Sequence, residues 1–258
     1  MTAIRVIVAG AAGQTGGAVA RAAEASKAHE FVVGVDRVVA MGGGDGLPSL
    51  RSVADAPDAD VVIDFTVPDA AVEVADQAAA RGFALVTGTT GLNDDQQAAI
   101  KKASEIIPVV QSGNYSLGVN LLMALVQQAA AKLPGFDVEV TEAHHRRKVD
   151  APSGTALMLG EAAAHGRGTS LEERGLFTRH GQVGPRTDEE IGFSVIRGGG
   201  VFGDHDVAFM SDDEVITLSH RALSRTLFAQ GALHAARWVV GKSPGLYSMR
   251  DVLELGAS

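Results

Sequence analysis

The 258-residue chain has no cysteine, which excludes disulfides, cysteine-bound zinc, iron–sulfur clusters and a cysteine nucleophile at once. It also lacks long apolar runs. Stretches such as Val61-Val62-Ile63 and Ile106-Ile107-Pro108-Val109-Val110 fall far below the roughly 18 residues that a membrane-spanning helix needs. Arg5 followed by Val6-Ile7-Val8-Ala9-Gly10-Ala11 copies the start of a secretory signal, but its apolar part is only about seven residues long and runs straight into glycines. A cytoplasmic protein without a membrane segment is expected. Positive charge is scarce. With 22 basic against 31 acidic residues the net charge is −9, the wrong sign for neutralising a phosphate backbone, so nucleic acid is not an expected partner. Glycine, by contrast, is abundant at 31 residues, well above its usual share of about 7%, and this implies tight turns and close backbone approaches. The hydrophobic share of 46% and charged share of 21% are those of a folded chain, long enough for one large or two modest domains.

The first hundred residues alternate short β-branched runs with alanine-rich stretches, the pattern of parallel strands joined by crossover helices. Strands are expected at 4–9, 31–36, 61–65, 83–87 and 106–110, with helices at 16–28, 69–81 and 93–105. Near-continuous hydrophobic runs, rather than clean alternation, suit strands buried on both faces. Residues 37–50, with Gly42-Gly43-Gly44-Asp45-Gly46 and Pro48, read as a mobile loop. After Tyr115 the rhythm changes. A helix is expected at 116–133, a strand at 138–142 and a polar excursion at 166–187. Three runs follow at 191–196, 207–209 and 215–220 without intervening helices, which predicts an antiparallel or mixed sheet. A second domain therefore begins near residue 116, and the helical stretch 225–240 fits either half.

Gly10-Ala11-Ala12-Gly13-Gln14-Thr15-Gly16 follows the first strand and opens a helix, a variant of the Rossmann dinucleotide fingerprint. Glycine is needed where backbone approaches a pyrophosphate, and the helix N-terminus supplies N–H groups and a favourable dipole. Asp36 lies at the end of the second strand, where an acidic side chain accepts hydrogen bonds from the adenine ribose. Arg37 beside it would attract a ribose 2′-phosphate that Asp36 repels, so NADH and NADPH both remain open as cofactors. Gly88-Thr89-Thr90-Gly91 and Asp64-Phe65-Thr66 end neighbouring strands and are expected to line the same crevice, although Phe65 fits the core equally well. Gly113-Asn114-Tyr115-Ser116 ends the next strand and is expected to serve as cofactor contact and hinge, a plain linker being the alternative.

Residues 142–156, Glu-Ala-His-His-Arg-Arg-Lys-Val-Asp-Ala-Pro-Ser-Gly-Thr-Ala, hold the densest chemistry in the chain. Five cationic or titratable side chains in a row, inside an acidic protein, attract an anion. Pro152 and Ser153 then introduce Gly154-Thr155 at the start of a helix, whose N–H and hydroxyl groups suit a carboxylate. Adjacent histidines on an extended segment point to opposite faces, and no further ligand pattern completes a set, so no metal is expected. The lysine–serine order is reversed relative to a phosphate-binding Walker loop, which favours a small carboxylic acid over a nucleotide here.

Taken together, Glu142-Ala143-His144-His145 through Lys148 to Asp150-Ala151-Pro152-Ser153-Gly154-Thr155-Ala156 resembles the signature of the 4-hydroxy-tetrahydrodipicolinate (dihydrodipicolinate) reductase family. The glycine loop, Asp64-Phe65-Thr66, Gly88-Thr89-Thr90-Gly91, Asn114-Tyr115-Ser116 and Arg197-Gly198-Gly199 resemble further blocks in the family's order, over essentially the whole chain. The resemblance implies a Rossmann-like doubly wound α/β domain, residues 1–115 completed by 226–258, and a smaller α+β domain, 116–225, that binds substrate and forms tetramers. It implies hydride transfer to C4 of a small dicarboxylate, with loss of water, on the diaminopimelate route to lysine. His144 falls at the family's proton donor or acceptor and Lys148 at its second proton donor. His145, Ser153, Gly154, Thr155 and Arg225 match substrate-carboxylate positions. Gly10, Ala11, Ala12, Gly13, Gln14, Thr15, Asp36, Arg37, Gly88, Thr89, Thr90, Ser112, Gly113, Asn114 and Tyr115 match cofactor positions. Gln14 stands where many relatives carry a basic residue, which weakens the case for strict NADPH use. The competing readings are a sibling amino-acid or diaminopimelate dehydrogenase and a dinucleotide sensor without chemistry, for which His144 and Lys148 beside a carboxylate cradle would have no use.

Overall fold

The computed structural model describes residues 2–36 and 49–256, so Arg37 and the loop at Gly42 to Gly46 lie outside the described residues. In the first half run β1 (Ile4–Ala9), α1 (Gln14–Glu24), β2 (His29–Val35), β3 (Ser49–Leu50), β4 (Val61–Asp64), α2 (Pro68–Arg81), β5 (Ala84–Thr87), α3 (Asp94–Ser104) and β6 (Pro108–Gln111). The second half holds α4 (Leu117–Lys132), β7 (Asp137–His144), α5 (Gly154–Gly166), α6 (Leu171–Arg174), β8 (Gly175–Leu176), β9 (Ile191–Arg197), β10 (Asp204–Met210) and β11 (Val215–Arg221). The chain closes with α7 (Thr226–Val239), β12 (Gly245–Tyr247) and α8 (Met249–Val252).

Two compact units result, Met1–Leu117 with Thr226–Ser258, and Gly118–Arg225. The first holds a parallel sheet in the order β12-β6-β5-β4-β1-β2-β3. Its direction of winding reverses between β1 and β4, the place where open α/β sheets bind ligands beyond their strand ends. Val6, Ile7 and Val8 of β1 and Val61, Val62 and Ile63 of β4 are fully buried, which is why these strands read as unbroken apolar runs. α1 and α7 cover one face, and α2 and α3 the other. Local signals set the helix ends. Pro68 starts α2 and Gly82, at φ 69°, ends it, while Asn93 and Gln96 form a reciprocal capping box on α3.

The second unit carries a mixed sheet in the order β11-β10-β7-β9-β8, antiparallel except for the β7–β9 and β9–β8 pairs. β7 alternates strictly, with Val138, Val140, Glu142 and His144 turned inward. Leu122 and Val126 of α4 and Leu159 and Ala163 of α5 pack on that inner face. The polar excursion at 166–187 holds α6 and β8, the latter pairing with β9 at the sheet edge. Ile106 and Ile107 lie in the turn that closes α3, so the strand expected at 106–110 runs instead from Pro108 to Gln111.

Candidate active site

The glycine loop is shaped by collisions that any side chain would cause. Gly10 sits at φ 78° with its amide donating to the Val35 carbonyl at 2.8 Å, and a Cβ there would stand 2.4 Å from the Phe65 carbonyl oxygen. A Cβ on Gly16 would stand 2.1 Å from the Gly10 carbonyl oxygen, so the loop and α1 cross in contact. Asp36, at the end of β2, accepts from the Ala12 amide at 3.1 Å and so leans on the loop. Gly13 caps α1 without a side chain and the first turn holds no acid, an arrangement that suits a phosphate.

A cleft of about 400 Å³ opens beside this helix end, lined by Gly13, Gln14, Thr15, Thr66, Gly88, Thr89 and Thr90. Its walls are fixed by Asp64. That carboxylate is fully buried and accepts from the hydroxyls of Thr66 (2.6 Å), Thr87 (2.7 Å) and Thr89 (2.9 Å), and from the Thr66 amide (3.0 Å). Room, glycine backbone and a helix N-terminus together fit a dinucleotide. Ser112, Gly113 and Asn114 do not line this cleft but form a self-bonded turn, in which the Ser112 hydroxyl donates to the Asn114 carbonyl at 2.8 Å. The Tyr115 side chain is 1% exposed, packs edge-on against Phe65 and donates its hydroxyl to the Thr87 and Val110 carbonyls, so the ring belongs to the core and only the backbone of this residue is left to meet a cofactor.

In the second unit the basic segment leaves the end of β7 and packs on the turn after β9. The His145 amide donates to the Val201 carbonyl and the Gly198 amide to the His144 carbonyl. His144 is buried, and its Nδ1 lies 2.6 Å from Glu142 Oε2. Glu142 is itself sealed from solvent and takes both guanidinium nitrogens of Arg197 at 2.7 Å and the Ser153 amide at 2.9 Å. Burial pushes its carboxyl up, but hydrogen bonds from Arg197, His144 and the Ser153 amide outweigh that and hold it below the usual range. The Lys148 ammonium lies 2.8 Å from Asp150. His145 Nε2 meets an Arg225 guanidinium nitrogen at 3.2 Å, and burial, Arg147, Arg225 and His144 all favour its neutral form.

Ser153 caps α5, its hydroxyl accepting from the Ala156 amide at 3.2 Å, and Gly154 and Thr155 form the first turn, which holds no acid. The same hydroxyl lies 3.1 Å from His205 Nε2. Burial pushes His205 down to about 4, with His144 nearby as a further cause, so the ring is neutral at ordinary pH. Nothing in the local sequence marks Glu142, Arg197 and His205 as a linked set. Extending the expected 138–142 strand to His144 would have put residues 142 and 144 on one face, but the Arg197 and His205 contacts span 55 and 52 residues.

The N-terminal and C-terminal family models of dihydrodipicolinate reductase match residues 4–115 and 118–253. The chain is 53% identical over 253 residues to the 4-hydroxy-tetrahydrodipicolinate reductase of Caulobacter vibrioides, covering 97% of each. It is 48% identical over 268 residues to that of Bradyrhizobium diazoefficiens, covering 99% of each. Among solved structures, the dipicolinate-bound dihydrodipicolinate reductase from Paenisporosarcina sp. TG-14 shares the fold with a TM-score of 0.78 at 23% identity, over 95% of this chain and 97% of that one. The C. glutamicum DAP dehydrogenase in complex with DAP shares it more distantly, with a TM-score of 0.54 at 16% identity over 100% and 97%. Two family models spanning almost the whole chain, and relatives matched end to end, agree with the blocks around the glycine loop and His144: the chain belongs to the dihydrodipicolinate reductase family.

Proposed function

We propose that the chain reduces 4-hydroxy-tetrahydrodipicolinate to tetrahydrodipicolinate on the diaminopimelate route to lysine, using NADH or NADPH. The observation that carries this reading is the convergence of His144 and the N-terminus of α5 on the buried Glu142 carboxylate, with Arg197 tying the Asp150 carbonyl of the Lys148 loop to the same group. Reduced nicotinamide, when bound, supplies the hydride that goes to C4. The N–H groups of Gly154 and Thr155 with the Ser153 hydroxyl hold one substrate carboxylate, and Arg225 with His145 holds the other. His144 serves as proton donor or acceptor and Lys148 as the second proton donor. The C4 hydroxyl leaves as water together with a hydrogen from the adjacent ring carbon, and the proton delivered to the ring replaces that hydrogen, so one hydride and one proton are consumed overall. A coupled assay that makes the substrate from pyruvate and aspartate semialdehyde is expected to show oxidation of reduced nicotinamide. Oxidation of diaminopimelate instead would favour the sibling dehydrogenase, and cofactor binding without turnover would favour a sensor.

Cofactor choice is assigned to the adjacent opposite charges of Asp36 and Arg37 in the sequence, to which Gln14 adds none. Neither cofactor is expected to win decisively. A charge-assisted contact is worth about 1.5 to 3 kcal/mol, roughly 10- to 100-fold in affinity. Arg37→Ala is therefore expected to penalise NADPH by up to that factor and to spare NADH, and Asp36→Ala to do the reverse, as read in kcat/KM. Equal losses for both cofactors in Arg37→Ala would remove Arg37 from the 2′ site.

The outer face of the second unit's sheet leaves Ile196 of β9 and Val215 of β11 more than half exposed, and we assign this face to tetramer formation. Light scattering behind a sizing column is expected to give four chains per particle. A monomer at micromolar concentration would contradict it. Among the described residues no helix is long and apolar enough to cross a membrane, and this reading places the enzyme with its nicotinamide supply in the cytoplasm, which cell fractionation checks.

A further inference from the structure

We infer that Glu142 is a positioning residue of this reaction. One oxygen holds His144 in the tautomer that carries its hydrogen on Nδ1, and the other ties the anion-binding end of α5 to the same point. The inference rests on the reading of His144 and α5 given above, and deepens it.

The geometry leaves the carboxylate no other arrangement. Oε2 receives His144 Nδ1 at 2.6 Å and Arg197 Nη1 at 2.7 Å, while Oε1 receives Arg197 Nη2 at 2.7 Å and the Ser153 amide at 2.9 Å. Three of those four contacts come from groups that can only donate, the arginine and the amide, so the carboxylate stays an acceptor and His144 must supply a hydrogen on Nδ1. Nε2 is then the atom left to exchange a proton. Space beside it is kept by Gly203, where a Cβ would stand 2.9 Å from Nε2. The charged and titratable groups around His144 are Glu142 from β7, Arg197 from β9 on the same Glu142 oxygen, His205 from β10 and His145 at the start of the loop. His205 does not compete for Glu142. Its ring stands edge-on to His144 at 5.2 Å between centroids and bonds the Ser153 hydroxyl instead. The two arms of Glu142 therefore fix the proton-transfer ring and the carboxylate cradle relative to each other.

A purely structural ion pair with Arg197 would leave the His144 tautomer and the balance of kcat and KM untouched, which separates the two roles. In Glu142→Gln one of the two acceptor oxygens becomes an NH₂ group facing donors. Turning that group toward His144 makes Nδ1 an acceptor and moves the hydrogen to Nε2. The experiment is long-range ¹H–¹⁵N NMR of histidine-labelled protein at a pH where the His144 ring is neutral, with steady-state kinetics alongside. In the wild type we expect a protonated Nδ1 and a bare Nε2. In Glu142→Gln we expect the hydrogen on Nε2 and a kcat lower by about 10²- to 10⁴-fold. Dinucleotide affinity should stay within about twofold, and Glu142→Asp should recover part of the loss by restoring an acceptor-only group. A bare Nδ1 in the wild type overturns the inference whether or not any variant folds, and so does a folded Glu142→Gln with unchanged tautomer and kcat. A wild type that shows the expected tautomer but fails to reduce the substrate would sink the functional reading instead.

Discussion

Replacing Lys148 with alanine is expected to lower kcat by about 10²- to 10⁴-fold, the usual contribution of a positioned proton donor, and to leave dinucleotide affinity unchanged. The ammonium is already placed in the free protein. Asp150 holds it at 2.8 Å, and the Lys148 amide donates to the His145 carbonyl, which closes the loop into a fixed turn. The hydrogen bond from Lys148 in turn holds the Asp150 carboxyl below its ordinary range. An exposed surface lysine would contribute little, since solvated ion pairs are worth about 0 to 1 kcal/mol. Stopped-flow single turnovers separate the alternatives from a change in substrate binding, and fluorescence titration with reduced nicotinamide follows the cofactor. Near wild-type turnover in Lys148→Ala would reduce this residue to a surface charge. His144→Gln is expected to share the pattern, a kcat loss with cofactor binding retained.

The second large effect is expected from Gly16→Ala. An added methyl would stand 2.1 Å from the Gly10 carbonyl oxygen, well inside contact distance, and that atom belongs to backbone. The Gly10 amide is bonded to Val35 and its carbonyl accepts from the Gly13 amide, so the loop cannot yield alone. Either α1 slides away from the loop or the loop leaves the sheet, and both spoil the surface offered to a pyrophosphate. Overpacking of this kind costs about 1 to 3 kcal/mol, a fall in Tm of roughly 2 to 10 °C for a chain of this size. Dinucleotide affinity is expected to drop at least tenfold in the fraction that stays folded. Wild-type affinity in Gly16→Ala, measured by calorimetry, would show that the crossing of loop and helix does not shape the cofactor surface.

Much of the architecture is legible in the residues because it is set by local chemistry. β1 and β4 are buried on both faces, so their sequences are unbroken apolar runs, and α3 announces both ends through Asn93-to-Gln96 capping and its closing lysines. What escapes is decided by partners distant in sequence. β3 and β12 have two and three residues, too few for any periodicity, and become strands only because β2 and β6 offer them a free edge. The capped, acid-free start of α5 is readable from Pro152, Ser153 and Gly154. The pairing of Glu142 with Arg197 is not, since charges of either sign usually stay in water, and only the folded sheet reveals that this carboxylate is sealed. Tyr115 illustrates the converse. A tyrosine at a strand end can face a ligand or the core, and the two carbonyls within reach of its hydroxyl settle the matter.

The most direct measurement is isotope transfer to the product. Substrate generated enzymatically would be incubated with the protein and nicotinamide deuterated at the transferable position, and the product would be analysed by mass spectrometry and NMR. Tetrahydrodipicolinate carrying a single deuterium at C4 and lacking the hydroxyl is the result this account predicts. Product without deuterium, or unchanged hydroxylated substrate in the presence of both NADH and NADPH, would contradict it.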